Sequence, residues 1–354
     1  MRLLTLAQLN FRNLRDSRLE FPAGVVAVVG RNATGKSNLL AAAYLGCTGE
    51  VVGGKLVRQV RLGEEEAYVA AEVEHDEGVS RIEVGLAPGR KLLKVDGQQA
   101  RTMDVARVVS AVLLTPEDAD LIHGPPSGRR GYLDGLLSKL SARYSSLHRE
   151  YLRVLEQRNA LLRAGDLGPT FGVWSERFAL LGSEIDALRD RAITRLAPLA
   201  AAVYREVAGD AGSDLRVSLR RSYAEAGLAE ALSASARTEL ARAQTVVGPH
   251  RDDLHLELGG VSLHEYGSRG EARTAALALR VAEYRILGEK HAEPPVLLID
   301  DFTAELDSAR REYLLTLAGA TPQAFVSGTE PPPRFDYRLD MVAGRATAPG
   351  VGRA

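Results

Sequence analysis

Apolar residues fall in short runs over the first 29 positions, at 3–9, 18–21 and 25–29, with polar turns between them. Such runs punctuated by turns predict strands. The third leads into a glycine-bearing loop, after which 37–45 reads as a helix closed by Gly46. Further strand patterns lie at 67–74, 80–86, 92–95 and 108–114, and Asp96-Gly97 signals a hairpin. Together they predict an antiparallel layer packed beside the first loop.

The period changes after Pro125-Pro126. Leu133, Leu136, Leu137, Leu140, Tyr144, Leu147, Tyr151 and Leu155 recur at helical spacing, which predicts helix over 132–163. A second helical stretch covers 173–207, and 164–170, with two Gly and one Pro, reads as the turn of an antiparallel helical pair. The Leu/Tyr stripe is core rather than site. Strand patterns return at 215–219, 244–247 and 254–258, and a helix is predicted over 271–287. Val296 to Ile299 is wholly apolar and ends in two aspartates, as a central parallel strand covered on both faces does. The stretch 330–334 and the tail after 347 read as loosely structured, with no internal repeat or low-complexity tract.

Composition narrows the class without naming it. The 354 residues suffice for two or three domains, and a formal net charge of -1 means that any nucleic-acid surface is local. Arg supplies 39 of the 45 basic residues, which suits phosphate contacts and equally fits a GC-rich genome. Cys47 stands alone, which excludes an internal disulfide and a cysteine-based zinc site and fits a reducing compartment. No start pattern of a secretory leader and no 18-residue apolar run is present, so the expectation is a soluble, cytoplasmic protein.

The strongest chemical signal is Gly30-Arg31-Asn32-Ala33-Thr34-Gly35-Lys36-Ser37, a G-x-x-x-x-G-K-S loop after an apolar strand and before a helix. Phosphates need closely approaching backbone N–H groups, glycines where a Cβ would clash, and the positive end of a helix. Lys36 adds a cation for the terminal phosphates and the Ser37 hydroxyl can ligate Mg²⁺. At the end of 296–299, Asp300 is placed to support that ion. Asp301 is placed to orient or deprotonate an attacking water, or else to cap the next segment. Tyr266-Gly267-Ser268-Arg269-Gly270-Glu271 is either a helix cap or a second phosphate-holding loop.

This order of motifs, closed by Ala304-Glu305-Leu306-Asp307, resembles the ABC-type ATPases, and within them the chromosome-maintenance heads. The chain is most similar to the RecF family of bacterial recombination mediators. The likeness rests on Phe11-Arg12-Asn13, Gly30 to Asn38, Thr115-Pro116-Glu117-Asp118, Arg129-Arg130 with Leu133-Asp134, Gln157 to Leu162, Gly248-Pro249-His250-Arg251-Asp252-Asp253, Tyr266 to Glu271 and Asp300 to Asp307.

The resemblance implies an α/β fold: a P-loop ABC-type head with a mixed central sheet, helices and an antiparallel β layer, interrupted by a mainly helical subdomain. The head would comprise 1–124 and 244–354, and the insertion 125–243. It further implies ATP with Mg²⁺ bound by one subunit and completed by the Ser268, Arg269, Gly270, Glu271 loop of a second. An ATP-dependent homodimer would bind double-stranded and gapped DNA, hydrolyse ATP slowly, and act with RecR, and with RecO and RecA downstream. Arg12 and Asn13 would lie near base and ribose, Asn38 at the ATP site, and Asp307 near the dimer seam.

Departures from the wider class are also visible. Ser268-Arg269-Gly270-Glu271 replaces the commoner Ser-Gly-Gly-Gln, Glu117 stands where a γ-phosphate-sensing glutamine is usual, and Asp301 stands for glutamate. No histidine comes after 323–326, which leaves Ser327 or Thr329 for that place. His250 and Arg251 could sense phosphate or hold strands. Arg129 and Arg130, with Arg58, Arg61, Arg90, Lys91 and Lys94, could line DNA or form ordinary surface. The nucleotide motifs alone also admit the ATPase subunit of a membrane transporter.

Overall fold

The computed structural model describes residues 1–209, 214–223, 227–301 and 307–348, so Ala304, Glu305 and Leu306 lie outside the described residues. The chain divides into two compact units, 1–118 with 206–210 and 279–354, and 119–205 with 211–278.

In the first unit, two six-stranded sheets hold the helix Lys36–Thr48 between them. One sheet is the expected antiparallel layer, in the order Ser17–Glu20, Arg2–Leu9, Ala67–His75, Gly78–Ala87, Arg90–Val95, Gln98–Gln99. The other runs Arg345–Thr347, Tyr337–Val342, Gly24–Val29, Gln323–Gly328, Val296–Ile299, Ala111–Leu114, and all its pairings but the first are parallel. Gly24–Val29 and Val296–Ile299 are continuous apolar runs because helix and sheet layers cover both faces, and Gln323–Gly328 between them is buried throughout, its Gln323 and Ser327 included. Leu39, Leu40, Ala42 and Leu45 are buried on the enclosed helix, which needs no polar face.

Two expectations fail here for identifiable reasons. The helix does not stop at Gly46 but runs to Thr48, with Gly49 as its left-handed cap at φ 67°. Gly46 is instead a contact glycine, since a Cβ there would stand 2.8 Å from the Ala71 Cβ. The run 108–114 splits into the end of the helix Thr102–Val108 and the strand Ala111–Leu114, and that strand joins the parallel sheet beside Val296–Ile299, not the antiparallel layer.

The second unit is mainly helical, with a three-stranded sheet ordered Val261–Ser262, Asp253–Leu258, Leu215–Arg220. The helix expected over 132–163 is two helices, Pro126–Leu140 and Ala142–Ala164, divided at Ser141, whose Oγ accepts from the Tyr144 N–H at 3.2 Å. Pro169–Ala208 is then one helix, about 60 Å long at about 1.5 Å per residue. Residues 244–278 lie in this unit, beyond the expected insertion of 125–243, because Asp253–Leu258 pairs along its length with Leu215–Arg220.

The expected strand at 244–247 is absent. Its backbone is satisfied by side chains: the Thr245 N–H donates to Asn159 Oδ1 at 2.7 Å and the Val246 N–H to Glu239 Oε1 at 3.1 Å. Gly248 then needs φ 123°, and a Cβ there would meet Phe178 and the Tyr151 hydroxyl at 3.0 Å.

Candidate functional site

Parallel register gathers the chemistry at one edge of the central sheet. Val29 lies opposite Gly328, Val326 opposite Ile299, and Ile299 opposite Leu114. The Gly30 loop, Ser327, Asp300 and Thr115 therefore leave neighbouring strand ends within the first unit.

The loop is built for close approach. A Cβ on Gly30 would stand 2.6 Å from the Met341 carbonyl oxygen, and Gly35 takes φ 107°. Thr34 braces the turn: its Oγ1 donates to the Arg31 carbonyl at 2.7 Å, and its own carbonyl accepts from the Gly344 N–H at 2.8 Å. Ala33 holds φ 64°, a left-handed conformation unusual for a residue with a Cβ. Gly35 caps the helix without a side-chain bond, and no acidic residue occupies its first turn. The helix thus directs N–H groups and a positive partial charge at the loop. Lys36 is buried, and its Nζ crosses the loop to donate to the Gly30 carbonyl at 2.8 Å and the Arg31 carbonyl at 3.1 Å. Arg31, Asn32, Ala33 and Ser37 are exposed.

Asp300 faces this helix end. The Ser327 hydroxyl donates to its Oδ1 at 2.6 Å, and the Ser37 hydroxyl lies near enough to favour its charged form. Burial raises the Asp300 pKa above the ordinary carboxylate value; the two hydroxyls oppose that shift, and the nearby charges of Glu117 and Asp301 add to it. Asp301 turns sharply, with φ 48°, and its N–H donates to Ser327 Oγ at 2.8 Å.

A magnesium ion held with a nucleotide needs one or two hard oxygen ligands from the protein, the rest being phosphate oxygens and water. The Ser37 hydroxyl and the Asp300 carboxylate offer two such oxygens. No group of three or more His, Cys, Asp and Glu suited to a metal occurs among the described residues.

Arg12 and Asn13 meet at Asn38: Arg12 Nη1 donates to Asn38 Oδ1 at 2.9 Å, and Asn38 Nδ2 donates to Asn13 Oδ1 at 2.7 Å. Arg12 Nε also donates to Gln59 Oε1 at 2.8 Å. Burial lowers the Arg12 pKa. Glu117 is exposed on the short turn Pro116–Ala119, and sequence reasoning misses what holds it. Its neighbour Asp118 accepts from the Thr115 N–H at 2.8 Å and from Arg280 Nε and Nη2 at 2.9 and 2.8 Å. No local signal joins residues 162 positions apart.

Ser268 and Glu271, in the second unit, close on each other. The Ser268 N–H donates to Glu271 Oε2 at 2.8 Å and the Glu271 N–H to Ser268 Oγ at 3.2 Å, a reciprocal cap at the start of Arg269–His291. That backbone bond from Ser268 lowers the Glu271 pKa. Arg269 is exposed and Gly270 half-buried. Asp307 caps Ser308–Gly319, accepting from the Arg310 N–H at 2.9 Å.

Several of the other singled-out residues have partners within the fold. His250 Nδ1 pairs with the Tyr151 hydroxyl at 2.8 Å and Nε2 with the Thr245 carbonyl at 3.2 Å, so Nε2 carries the proton. Burial pushes its pKa down to about 4. Arg251 reaches the same Thr245 carbonyl at 3.4 Å. Arg129, 2% exposed, grips Asp253 with Nε and Nη2 at 2.7 and 2.9 Å, and Arg130 donates to the Asp252 carbonyl at 2.7 Å. In the first unit Arg61 pairs with Asp16 at 2.6 Å and Lys91 donates to the Gly49 carbonyl at 2.8 Å. Arg58, Arg90 and Lys94 are exposed.

A phosphate loop, an acidic strand and an antiparallel layer around one helix define a P-loop ATPase head of the ABC type. The family model described as "RecF/RecN/SMC N terminal domain" matches residues 2–330. A chromosome-maintenance head, the Smc head domain from Pyrococcus furiosus, is 16% identical with a TM-score of 0.53, covering 97% of this chain and 94% of that one, a likeness of fold alone. The DNA replication and repair protein RecF of Deinococcus radiodurans is 49% identical over 349 residues, 98% of this chain and 96% of the relative. A solved structure of the recombination mediator protein RecF-ATP in the RecFOR pathway superposes with a TM-score of 0.91 at 30% identity, over 98% and 97% of the two chains. The chain belongs to the RecF family.

Proposed function

We propose that this chain is an ATP-gated, DNA-binding recombination mediator that pairs with a second copy of itself. The carrying observation is the convergence of the Gly30–Ser37 loop, Asp300 and Ser327 at one sheet edge. Relatives named for replication and repair, and solved structures of RecF-ATP and RecF-ATPrS in the RecFOR pathway, support the reading. In this assignment the loop N–H groups and Lys36 bind the β- and γ-phosphates, and Ser37 and Asp300 hold magnesium, which neutralises phosphate charge when bound. Asp301 orients the attacking water, Glu117 faces the γ-phosphate, and Arg12, Asn13 and Asn38 flank the nucleoside.

Ser268, Arg269, Gly270 and Glu271 complete the site of a second copy, with Asp307 at the seam. Because nucleotide stabilises only the paired state, ATP drives dimerisation by mass action, and slow hydrolysis reverses it. The pair binds duplex and gapped DNA through phosphate contacts and acts with RecR, RecO and RecA. Buried Arg129, bound to Asp253, is a poor candidate for that DNA surface, whereas half-exposed Arg130 keeps donors beyond its bond to the Asp252 carbonyl.

The test is mass by light scattering, and affinity for gapped duplex DNA, each with and without ATP and magnesium. A dimer and tighter DNA binding with ATP are expected, with affinity falling steeply in salt. A chain that binds ATP yet stays monomeric while gripping DNA equally well removes the gating.

A further inference from the structure

Ser327 is fully buried in Gln323–Gly328, between Gly24–Val29 and Val296–Ile299. Its hydroxyl has one proton and two lone pairs. The Asp301 N–H can only donate, so at 2.8 Å it occupies a lone pair, and the hydroxyl proton is directed at Asp300 Oδ1, 2.6 Å away. One side chain thereby holds the carboxylate of one aspartate and the backbone of the next. The second bond matters because Asp301 sits at φ 48°, a conformation that a non-glycine residue keeps only where its surroundings impose it.

We propose that Ser327 is a positioning residue of the hydrolytic centre, fixing the directions of both aspartates at once through this pair of hydrogen bonds. The inference rests on the ATPase reading above and goes beyond it: with its proton and a lone pair engaged by the two aspartates, Ser327 acts through them. Nucleotide binding, which depends on the Gly30–Ser37 loop, is largely independent of it, whereas turnover is not.

The experiment uses the full chain with three substitutions, Ser327→Ala, Ser327→Cys and Ser327→Thr. Cysteine keeps nearly the volume but bonds weakly, and threonine keeps the hydroxyl. The measurements are ATP affinity by fluorescent-analogue titration, single-turnover ATP hydrolysis, and protection of the Asp301 amide by hydrogen exchange without nucleotide. Alanine and cysteine should lower turnover about tenfold, the loss of one hydrogen bond to a charged group. They should leave affinity within about twofold and speed Asp301 exchange, and threonine should restore both. Unchanged turnover and exchange in both the alanine and cysteine variants overturn the proposal, as does a loss of turnover with Asp301 still fully protected. A wild-type chain that binds but never hydrolyses ATP overturns the ATPase reading instead, and the exchange measurement still decides whether Ser327 holds Asp301.

Discussion

Two polar networks in this molecule are built from equally recognisable sequence, and they differ in what they leave unspent. In the second unit, Arg158, 2% exposed, donates to Glu239 Oε2 at 2.6 Å, Thr245 Oγ1 at 2.7 Å and Ser175 Oγ at 3.0 Å. Arg189 donates to Asp134 Oδ1 and the Pro249 carbonyl, both at 2.7 Å, while Ser222 bonds Asp252 through N–H and hydroxyl. Here Gln157 to Leu162, Leu133-Asp134 and Gly248 to Asp253 spend most of their polar atoms on one another, with Asp252 Oδ2 left buried without a hydrogen bond. In the first unit, the helix at Lys36 begins without a side-chain cap, and Asp300 and Asp301 stand at the same sheet edge. A family-matching motif is therefore not by itself a site. The uncapped N–H groups of a helix start distinguish binding machinery from a structural knot.

The largest way to break this comparison is Arg158→Met. It leaves Glu239, 0% exposed, as an unpaired buried charge, which costs about 3–5 kcal/mol. Denaturant unfolding should show that loss, while ATP affinity of the folded fraction stays within about twofold. A comparable fall in ATP affinity would join the two networks into one functional unit. Lys36→Met should do the reverse: ATP affinity drops at least about a hundredfold, near 2.7 kcal/mol, while circular dichroism stays native. Unaltered affinity in that variant would remove Lys36 from the phosphate site.

How far sequence reaches obeys the same division. The Gly30–Ser37 loop and the strand ending at Asp300 are legible although 263 positions separate Ser37 from Asp300, because each carries its own local signature. Which strand lies between them is not, since the pairing of Gln323–Gly328 with both Gly24–Val29 and Val296–Ile299 is set by packing. The same limit hides the parallel partner of Ala111–Leu114. Gly46 reads as a stop because glycine ends helices more often than it makes room for a neighbouring Ala71. The helix Leu228–Arg242 escapes the hydrophobic pattern because only a thin face, Leu228, Leu232 and Glu239, is buried; its alanine content is the available signal. For His250 and Arg251 the sequence leaves two roles open; the buried bonds of His250 favour the structural one, which no local pattern signals.

Acid sharpens the contrast at smaller scale. His250 in the second unit and His291 in the first are both held down to about 4, chiefly by burial; His291 Nε2 lies 2.8 Å from Ser110 Oγ. Both are neutral when folded and take up a proton on unfolding below the ordinary value of about 6.5. The stability each contributes is complete above about 6.5 and is lost as pH falls toward 4, at up to about 1.4 kcal/mol per pH unit. His250→Gln should therefore spare about 2 kcal/mol of the wild-type loss between pH 6.5 and 5, read from urea midpoints. An undiminished pH slope would show that His250 is not the group that titrates on unfolding.

The smallest expected effect lies within the phosphate loop itself. Ala33 holds φ 64°, where a Cβ costs about 1–2 kcal/mol relative to the right-handed region. Ala33→Gly removes that cost but gives the unfolded chain more freedom, worth about 0.4–1 kcal/mol in the opposite direction. The net expectation is stabilisation of about 0.5 kcal/mol, with ATP affinity within about twofold, because the Thr34 hydroxyl and carbonyl bonds still brace the turn. Ala33→Val, whose β-branch suits that conformation poorly, should instead weaken ATP binding without touching the second unit's acid sensitivity. If glycine destabilises by more than about 1 kcal/mol, the strain at Ala33 is not what limits the loop, and contacts of its methyl group must hold it in place.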